Sequence, residues 1–158
     1  MWRILKRGVG ACTNSGGKPG GVLSATRPHM AIRSYEDLEV WQLAMRLAKD
    51  VEQIAARLPI REQYGLASQL RRASSSIPSN IAEGSARPTL VYINHLRMAL
   101  GSEGEVKTQL KLAARMNFVK ESEIEPLLNL ASQIGRMLRG LIRSLKAHWA
   151  RQQMRRDP

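Results

Sequence analysis

The sequence predicts an all-α protein, an antiparallel up-down-up-down four-helix bundle. Apolar residues recur at steps of three and four in four segments joined by short connections, which is helical periodicity. Aromatic residues make up only 4% of the chain, a balance that suits Leu/Ala/Ile helix packing better than a sheet. The 158 residues suffice for one domain with a real core. Short connections between helices favour antiparallel neighbours.

Residues 1–33 precede the helical pattern. They contain six glycines, six basic residues and no acidic residue, without an apolar period, so we predict a disordered basic leader. An Arg-rich, acid-free leader also resembles a mitochondrial transit peptide, but a clear amphipathic stretch is missing. A third interpretation is that Met30 is the true start. The bundle is then expected over residues 34–149, followed by a basic C-terminal tail at 150–158.

The first helix is predicted to start at Ser34, because a hydroxyl followed by Glu36 and Asp37 is typical of a helix N-terminus. It should run to Leu58, where Pro59 stops it. Its apolar seam has nearly heptad spacing. The seam consists of Leu38, Trp41, Ala44, Ala48, Val51, Ala55 and Leu58.

The second helix is predicted over residues 62–85. Pro78 lies inside it and removes the backbone bond to the carbonyl four residues earlier, so we expect a kink. The serines at 74–76 are of a type whose hydroxyls cap freed carbonyls. Its apolar face carries Leu66, Leu70, Ala73, Ile77 and Ile81.

A polar face runs along the same helix. Its members follow one another at steps of three or four: Arg72, Ser76, Asn80, Glu83 and Arg87. We interpret this face as a structural polar network that fixes helix register, since buried polar groups usually satisfy one another. A ligand site is the alternative.

The third helix is predicted over residues 90–116, with Asn117 as its C-cap and Leu96, Leu100, Leu110 and Ala113 among its core positions. Gly101 and Gly104 lie inside it. A helical glycine costs roughly 1 kcal/mol relative to alanine, so we expect a close backbone approach to a neighbour at these two positions.

The fourth helix is predicted to begin at a capping box formed by Ser122 and Glu125, with Pro126 tolerated in its first turn. It should reach Trp149, after which we expect the chain to fray. The buried side is predicted to carry Ile124, Leu127, Ala131, Ile134, Leu138, Leu141 and Leu145.

One long motif lies on the second helix: Gln-Leu-Arg-Arg-Ala at 69–73, Ser-Ile-Pro-Ser-Asn-Ile-Ala-Glu-Gly at 76–84, and Arg87. It resembles the signature of the four-helix bundle proteins first found as open reading frames in intervening sequences of large-subunit ribosomal RNA genes. The resemblance continues at residues 35–44 and 99–102 and covers about residues 34–145. It implies a ring-like homo-oligomer, a pentamer. It also implies kinship with accessory proteins of diversity-generating retroelements, basic bundles that associate with a reverse transcriptase and its RNA.

The net charge of +12 is unevenly distributed. Residues 1–33 carry +6 and residues 143–158 carry +4, which leaves +2 for the middle of the chain. Two basic rows stand out on the helices. The fourth helix carries Arg136, Arg139, Arg143 and Lys146 within roughly 80° of one another, and the third carries Lys107, Lys111 and Arg115 at every fourth position. Such rows can track phosphates, although solvated helix faces also look like this.

Enzymatic chemistry is not indicated. His29, His95 and His148 are scattered, with no motif that places a nucleophile or carboxylate beside any of them. The single cysteine, Cys12, permits no internal disulfide, and no paired Cys/His spacing suggests a metal site. We therefore predict no cofactor. The chain has no apolar run of membrane-spanning length and no signal-peptide core, so we expect a soluble cytoplasmic protein.

The basic rows favour a non-enzymatic helical scaffold that binds RNA or DNA, and the resemblance implies that it is homo-oligomeric and that a reverse transcriptase is its partner, instead of or together with the nucleic acid. No aromatic residues are interleaved with the basic rows, so nucleic-acid contact should be mainly electrostatic. The alternative is a structural protein-interaction module whose charge serves solubility alone.

Overall fold

The computed structural model describes residues 34–155, and within that range it is helical without any strand. The four long helices are α1 (Glu39–Ala56), α2 (Leu66–Ser85), α3 (Thr89–Arg115) and α4 (Glu121–Met154). Short 3-10 turns at Tyr35–Asp37 and Ile60–Glu62 precede α1 and α2. The expectations for the leader, including the transit-peptide and Met30 interpretations, and for residues 156–158 lie outside the described residues.

Each helix packs on its two neighbours around a closed square: α1 on α2, α2 on α3, α3 on α4, and α4 on α1. The predicted all-α antiparallel bundle is confirmed. Ion pairing between Arg57 and Glu123 shows that the α1–α2 and α3–α4 connections lie at the same end of the bundle. The core is almost entirely aliphatic, and every predicted seam residue of α2 is buried, as are Leu96 and Leu110 of α3 and Ile134 and Leu138 of α4.

The first helix is shorter than predicted at both ends. Ser34 does form a capping box with Asp37, but this box closes the 3-10 turn, and extended backbone at Leu38 separates that turn from α1. At the other end α1 stops at Ala56, because the residue before a proline disfavours helical backbone and Leu58 precedes Pro59. The second helix begins at Leu66 and not at residue 62, since Pro59 opens the 3-10 turn first.

The third helix ends at Arg115 with Met116 as its C-cap, one residue earlier than predicted, and Asn117 is the residue just after the cap. Asn117 has φ 58°, the only positive φ among the non-glycine residues that the structure describes. The N–H of Phe118 donates to the Ala113 carbonyl at 3.0 Å and that of Asn117 donates to Ala114 at 2.9 Å. This pair of bonds is a Schellman motif, in which asparagine tolerates the left-handed conformation.

The fourth helix differs from the prediction at both ends. It begins at Glu121, and the carboxylate of Glu123 accepts a hydrogen bond from the Lys120 N–H at 2.9 Å, so the predicted Ser122/Glu125 box is wrong. That backbone N–H, followed by the Arg57 guanidinium, lowers the pKa of Glu123 below its ordinary value. At its other end α4 continues to Met154 and not only to Trp149, because residues 150–154 are compatible with a helix and contain no breaker.

Pro78 is accommodated inside a continuous α2. The neighbouring hydroxyls bond carbonyls one turn back: Ser74 and Ser75 donate to Arg71, and Ser79 donates to Ser75 at 2.9 Å. The carbonyl that Pro78 frees is that of Ser74, and none of these bonds reaches it. The predicted capping of the freed carbonyl is therefore wrong, whereas the kink stays a prediction.

The expected close approach at Gly101 and Gly104 is also wrong, since a Cβ at either position would meet no atom of the described chain within 4 Å. Close approaches occur elsewhere. A Cβ on Gly84 would lie 2.6 Å from Tyr92 Cδ2 and 2.7 Å from His95 Cβ, and one on Gly135 would lie 3.1 Å from the Glu103 carboxyl carbon. Glycine at these two sites allows α2 to meet α3 and α3 to meet α4.

We expect Gly84→Ala to destabilise the fold by about 1 kcal/mol net, because overpacking costs about 1 to 3 kcal/mol and better helix propensity returns up to about 1. The control is Gly104→Ala, which has open space and should gain up to about 1 kcal/mol. Urea denaturation followed by circular dichroism measures both. Equal shifts of the two midpoints would contradict the close contact at Gly84.

Candidate nucleic-acid interface

The basic row of α4 lies on the outside of the bundle. Arg136, Arg139, Arg143 and Lys146 are all exposed, and the row they form lies beside the arc of the helix that carries the buried residues of α4. From Arg136 to Lys146 the row extends about 15 Å along the helix axis, at 1.5 Å per residue. We call these four residues the α4 basic row.

The charge of the α4 basic row is not neutralised. Between Glu125 and Arg155 the helix contains no acidic residue. Within residues 34–155 none of the four cations takes part in an ion pair, although six other arginines and lysines do: Arg46, Arg57, Arg61, Arg71, Arg87 and Lys107. The row is therefore a cationic surface free to meet an external anion.

The predicted row on α3 is interrupted. Lys111 and Arg115 are exposed and have no ion-pair partner in the described part of the chain. The ammonium of Lys107, by contrast, lies 2.7 Å from the carboxylate of Glu103, which is 97% buried against Gly135 of α4. That Glu103 oxygen makes no hydrogen bond of good direction, so the contact is an ion pair. Because Lys107 is already paired with the charged Glu103, it is less available to bind a phosphate than Lys111 and Arg115 are.

The two basic rows diverge along the bundle. Glu103 and Gly135 face each other, and α3 and α4 run in opposite directions. Measured along α3 from Glu103, Lys111 lies about 12 Å closer to the end of the bundle that holds the α1–α2 and α3–α4 connections. The α4 basic row extends from Gly135 towards the opposite end. The structure thus leaves α4 as the continuous cationic surface and Lys111 and Arg115 as a separate patch.

The polar face of α2 forms part of a network across the α2–α3 contact. Asn80 donates to the Ser76 carbonyl at 2.9 Å and to its hydroxyl at 3.1 Å, and Asn80 Oδ1 lies 3.3 Å from His95 Nδ1. Ser102 donates to the Ser76 hydroxyl at 2.9 Å. Because Asn80 uses its NH2 group on Ser76, its oxygen is the acceptor and His95 Nδ1 carries the proton.

The outer members of that face are less engaged. Glu83 is 58% exposed and lies 3.9 Å from His95 Nε2 and 4.0 Å from the Arg87 guanidinium. The side chain of Arg72 is exposed and makes no hydrogen bond or ion pair with this network in the described chain. The network therefore centres on Ser76 and Asn80.

Sequence reasoning missed the α3 half of this network, His95, Ser102 and Gln109. A signal was present, because these three residues are spaced by sevens opposite Gln69, Ser76 and Glu83, which are also spaced by sevens. The contacts are Gln69–Gln109 at 3.4 Å, Ser76–Ser102 at 2.9 Å and Glu83–His95 at 3.9 Å. We call these three contacts the polar rungs.

Beside this network, the hydroxyl of one partly buried tyrosine is enclosed without a hydrogen-bond partner among the described residues. Tyr92 packs on Gly84, its hydroxyl has no hydrogen bond to the described residues, and burial raises the pKa of Tyr92 to about 12. In residues 34–155 no cluster of His, Cys, Asp and Glu is arranged to hold a metal ion. None of the described helices has the length and apolar character that crossing a membrane requires.

Fold and surface together define a four-helix bundle protein whose fourth helix carries an unneutralised cationic face in the described part of the chain. Residues 36–140 match the family model described as 23S rRNA-intervening sequence protein, and the chain belongs to this family. A crystal structure from Bacteroides thetaiotaomicron, described as a protein with unknown function from the S23 ribosomal protein family, is similar at 25% identity and a TM-score of 0.60. The match covers 65% of this chain and 97% of that one. No curated protein matches the chain. Neither description indicates a catalytic class.

Proposed function

We propose that this protein is a non-enzymatic homo-oligomeric scaffold that binds RNA or DNA through the α4 basic row. The observation that carries the proposal is that four exposed cations share one face of α4 without an acidic partner in the described chain. Cations at intervals of three and four residues suit the regularly spaced charges of a phosphate backbone. Lys111 and Arg115 offer a second, weaker patch. A cyclic oligomer would repeat each row and add weak contacts through multivalency.

Binding of this kind should be weakly sequence-selective. The exposed face of α4 around the row carries no aromatic side chain on which bases stack, so affinity should follow charge. For the protein partner we propose a reverse transcriptase, on the resemblance to retroelement accessory proteins. Its RNA would supply the phosphates.

We expect the triple substitution Arg139→Gln, Arg143→Gln and Lys146→Gln to weaken nucleic-acid binding. Each lost phosphate contact should flatten the plot of log affinity against log salt by roughly 0.7 to 0.9, so the slope should fall by roughly 2 to 3. Fluorescence anisotropy with labelled single-stranded RNA and duplex DNA over a range of salt concentrations gives the slope.

The control replaces three exposed cations on other helix faces, Arg46, Lys49 and Arg97, by Gln, which removes the same charge. This variant should keep nearly the parental slope. If the two triple variants lose equal affinity, binding follows net charge and the α4 basic row has no special role.

A second candidate function is a protein-interaction module that does not bind nucleic acid. The observation in its favour is the exposure of Ile60 and Tyr64, 89% and 97%, in the α1–α2 connection. If the parental protein binds neither the RNA nor the DNA at low salt, the nucleic-acid-binding proposal is wrong and the protein-interaction module takes its place.

A further inference from the structure

The fourth helix continues past the start of α3. Glu103 of α3 faces Gly135 of α4 and the two helices are antiparallel, so Thr89, the first residue of α3, lies level with Trp149. From that level α4 runs on to Met154, about 8 Å further at 1.5 Å per residue. The last turn of α4 therefore has no part of α3 beside it.

On the α1 side the fourth helix projects further still. The ion pair between Arg57 and Glu123 sets the register of α1 and α4, and it places Glu39, the first residue of α1, level with about residue 141 of α4. The fourth helix thus extends about 20 Å beyond the start of α1. Leu145 is its last buried residue. We call residues 147–155 the α4 extension.

Trp149 is the aromatic residue of the α4 extension, and the core does not hold it. Four other half-buried aromatic residues of the described chain pack against the aliphatic core: Tyr35, Trp41, Tyr92 and Phe118. Trp149 is half-buried too, but it is not packed against that core, and its indole N–H makes no hydrogen bond to a described residue. An indole with a free N–H and no place in the core is available to an external ligand.

The side chains next to Trp149 on the helix surface are cationic or polar. Lys146 lies one turn before it, with its Cβ about 5 to 6 Å away, and belongs to the α4 basic row, so the indole adjoins the end of that row. Gln152 and Gln153 lie one turn after it. A helix that docks in the groove of a protein partner presents apolar residues on successive turns, and the α4 extension does not.

A row of cations that ends at an aromatic ring suits single-stranded nucleic acid. In proteins that bind single strands, basic side chains follow the phosphates and aromatic side chains stack on the bases. The α4 basic row supplies the first of these and Trp149 supplies the second. Within residues 34–155 no acidic side chain of α4 lies beyond Glu125 to oppose a phosphate.

We infer that Trp149 stacks on a base of a single-stranded nucleic acid whose phosphates lie along the α4 basic row. The inference rests on the proposed function and adds to it the form of nucleic acid that binds. A duplex carries the phosphates that the row needs, but its bases are stacked on one another and none is free to meet the indole. Every base has a stacking face, so Trp149 selects an unpaired strand without selecting a sequence.

The first test is an anisotropy titration of the full chain with a labelled, unstructured single-stranded RNA and with the duplex that this RNA forms with its complement. Trp149→Leu should weaken binding of the single strand about fivefold or more, the value of one base–aromatic stack, and leave duplex binding unchanged. Trp149→Phe keeps a ring and should keep most of the affinity. The salt slope should be the same in all three proteins, because no phosphate contact is lost.

Tyr64→Leu is the matched control, because it removes an aromatic ring that is 97% exposed at the other end of the bundle. It should leave the affinity for both RNAs at the parental value. Trp149 lies outside the core, so Trp149→Leu and Trp149→Phe should keep the parental thermal midpoint. A packing role for Trp149 would instead lower the midpoint of Trp149→Leu and weaken the binding of single strand and duplex alike.

Tryptophan fluorescence gives a second readout. A base that stacks on the indole should quench the emission of the parent when the single-stranded RNA is added, and the duplex should quench it less. The quenching by the single strand should be smaller in Trp149→Phe, because Trp41 packs against the core and is not a stacking partner.

The outcomes separate this inference from the proposed function. A parent that binds neither RNA would overturn the proposed function itself. If the parent binds RNA through the α4 basic row and Trp149→Leu keeps the parental preference between single strand and duplex, this inference alone is overturned. Equal quenching in the parent and in Trp149→Phe, or an equal loss of affinity in Tyr64→Leu, would overturn it as well.

Discussion

Lys107→Met should lower the free energy of unfolding by about 3 kcal/mol, the largest effect we expect from one side chain outside the aliphatic core. Glu103 is 97% buried and Lys107 is its one counter-charge within the described chain. Breaking a buried ion pair by removing one partner costs about 3 to 5 kcal/mol. The lower end applies because about a third of the Lys107 side chain is exposed to water.

The double variant Glu103→Met, Lys107→Met should recover most of that loss, since replacing a whole buried pair by apolar groups of similar volume is often neutral. Methionine is unbranched and suits the slot beside Gly135. Lys111→Met, which removes an exposed cation one turn further on, should change the midpoint by less than about 0.5 kcal/mol. Urea denaturation of the parent, the single variants Glu103→Met and Lys107→Met, and the double variant forms a double-mutant cycle, with Lys111→Met as its control. Equal losses in Lys107→Met and Lys111→Met would contradict the buried pair.

Asn80→Leu should destabilise the bundle by about 2 kcal/mol, because it removes three hydrogen-bond contacts and leaves His95 and Ser76 facing an apolar group. Glu83→Leu is the matched control from the same polar face. Its carboxylate is 58% exposed and its two ion-pair contacts are 3.9 and 4.0 Å long, so the expected change is within about 0.5 kcal/mol.

Thermal and urea midpoints of both variants measure the difference. If Glu83→Leu lost as much stability as Asn80→Leu, the stabilising contacts would centre on Glu83, near the C-terminal end of α2, and not on Ser76 and Asn80. Unchanged midpoints in both would show that the network contributes nothing to stability, and the ligand-site interpretation of the polar face would then be the one to pursue.

Periodicity predicted the four helices and their packed faces because burial follows the 3.6-residue turn directly. The same rule also applies to Glu103 and Gly101. Glu103 lies on one helix face with four apolar residues, all of them buried: Leu96, Ala99, Val106 and Leu110. Gly101 lies on the opposite face of the same helix. A buried carboxylate and an open glycine were therefore readable from position alone.

The helix ends and the surface contacts were harder to predict. The path of the chain after the Schellman motif determines which carboxylate caps α4. The sequence has a capping pattern at residues 122–125, but in the structure it is Glu123 that accepts a hydrogen bond from the Lys120 N–H. Whether a lysine is free or paired depends on whether a nearby carboxylate is buried where two helices meet. The sequence does not show this, so Lys107 could not be distinguished from Lys111 and Arg115. Ile60 and Tyr64 are exposed because Gln63 and Glu62 make hydrogen bonds to the backbone of Leu58 and Leu66. No local sequence pattern predicts these hydrogen bonds.

The polar rungs between α2 and α3 have a mechanical consequence. A slide of α3 along α2 by one turn would set each polar side chain against an apolar neighbour, and only a slide of seven residues, about 10.5 Å, would match polar groups again. Packed helices usually shift past one another by only 1 to 2 Å or so in conformational changes. We therefore expect the α2–α3 pair to move as one unit, and any motion of the bundle on binding a partner to come from α1, which packs on α2, and α4, which packs on α3.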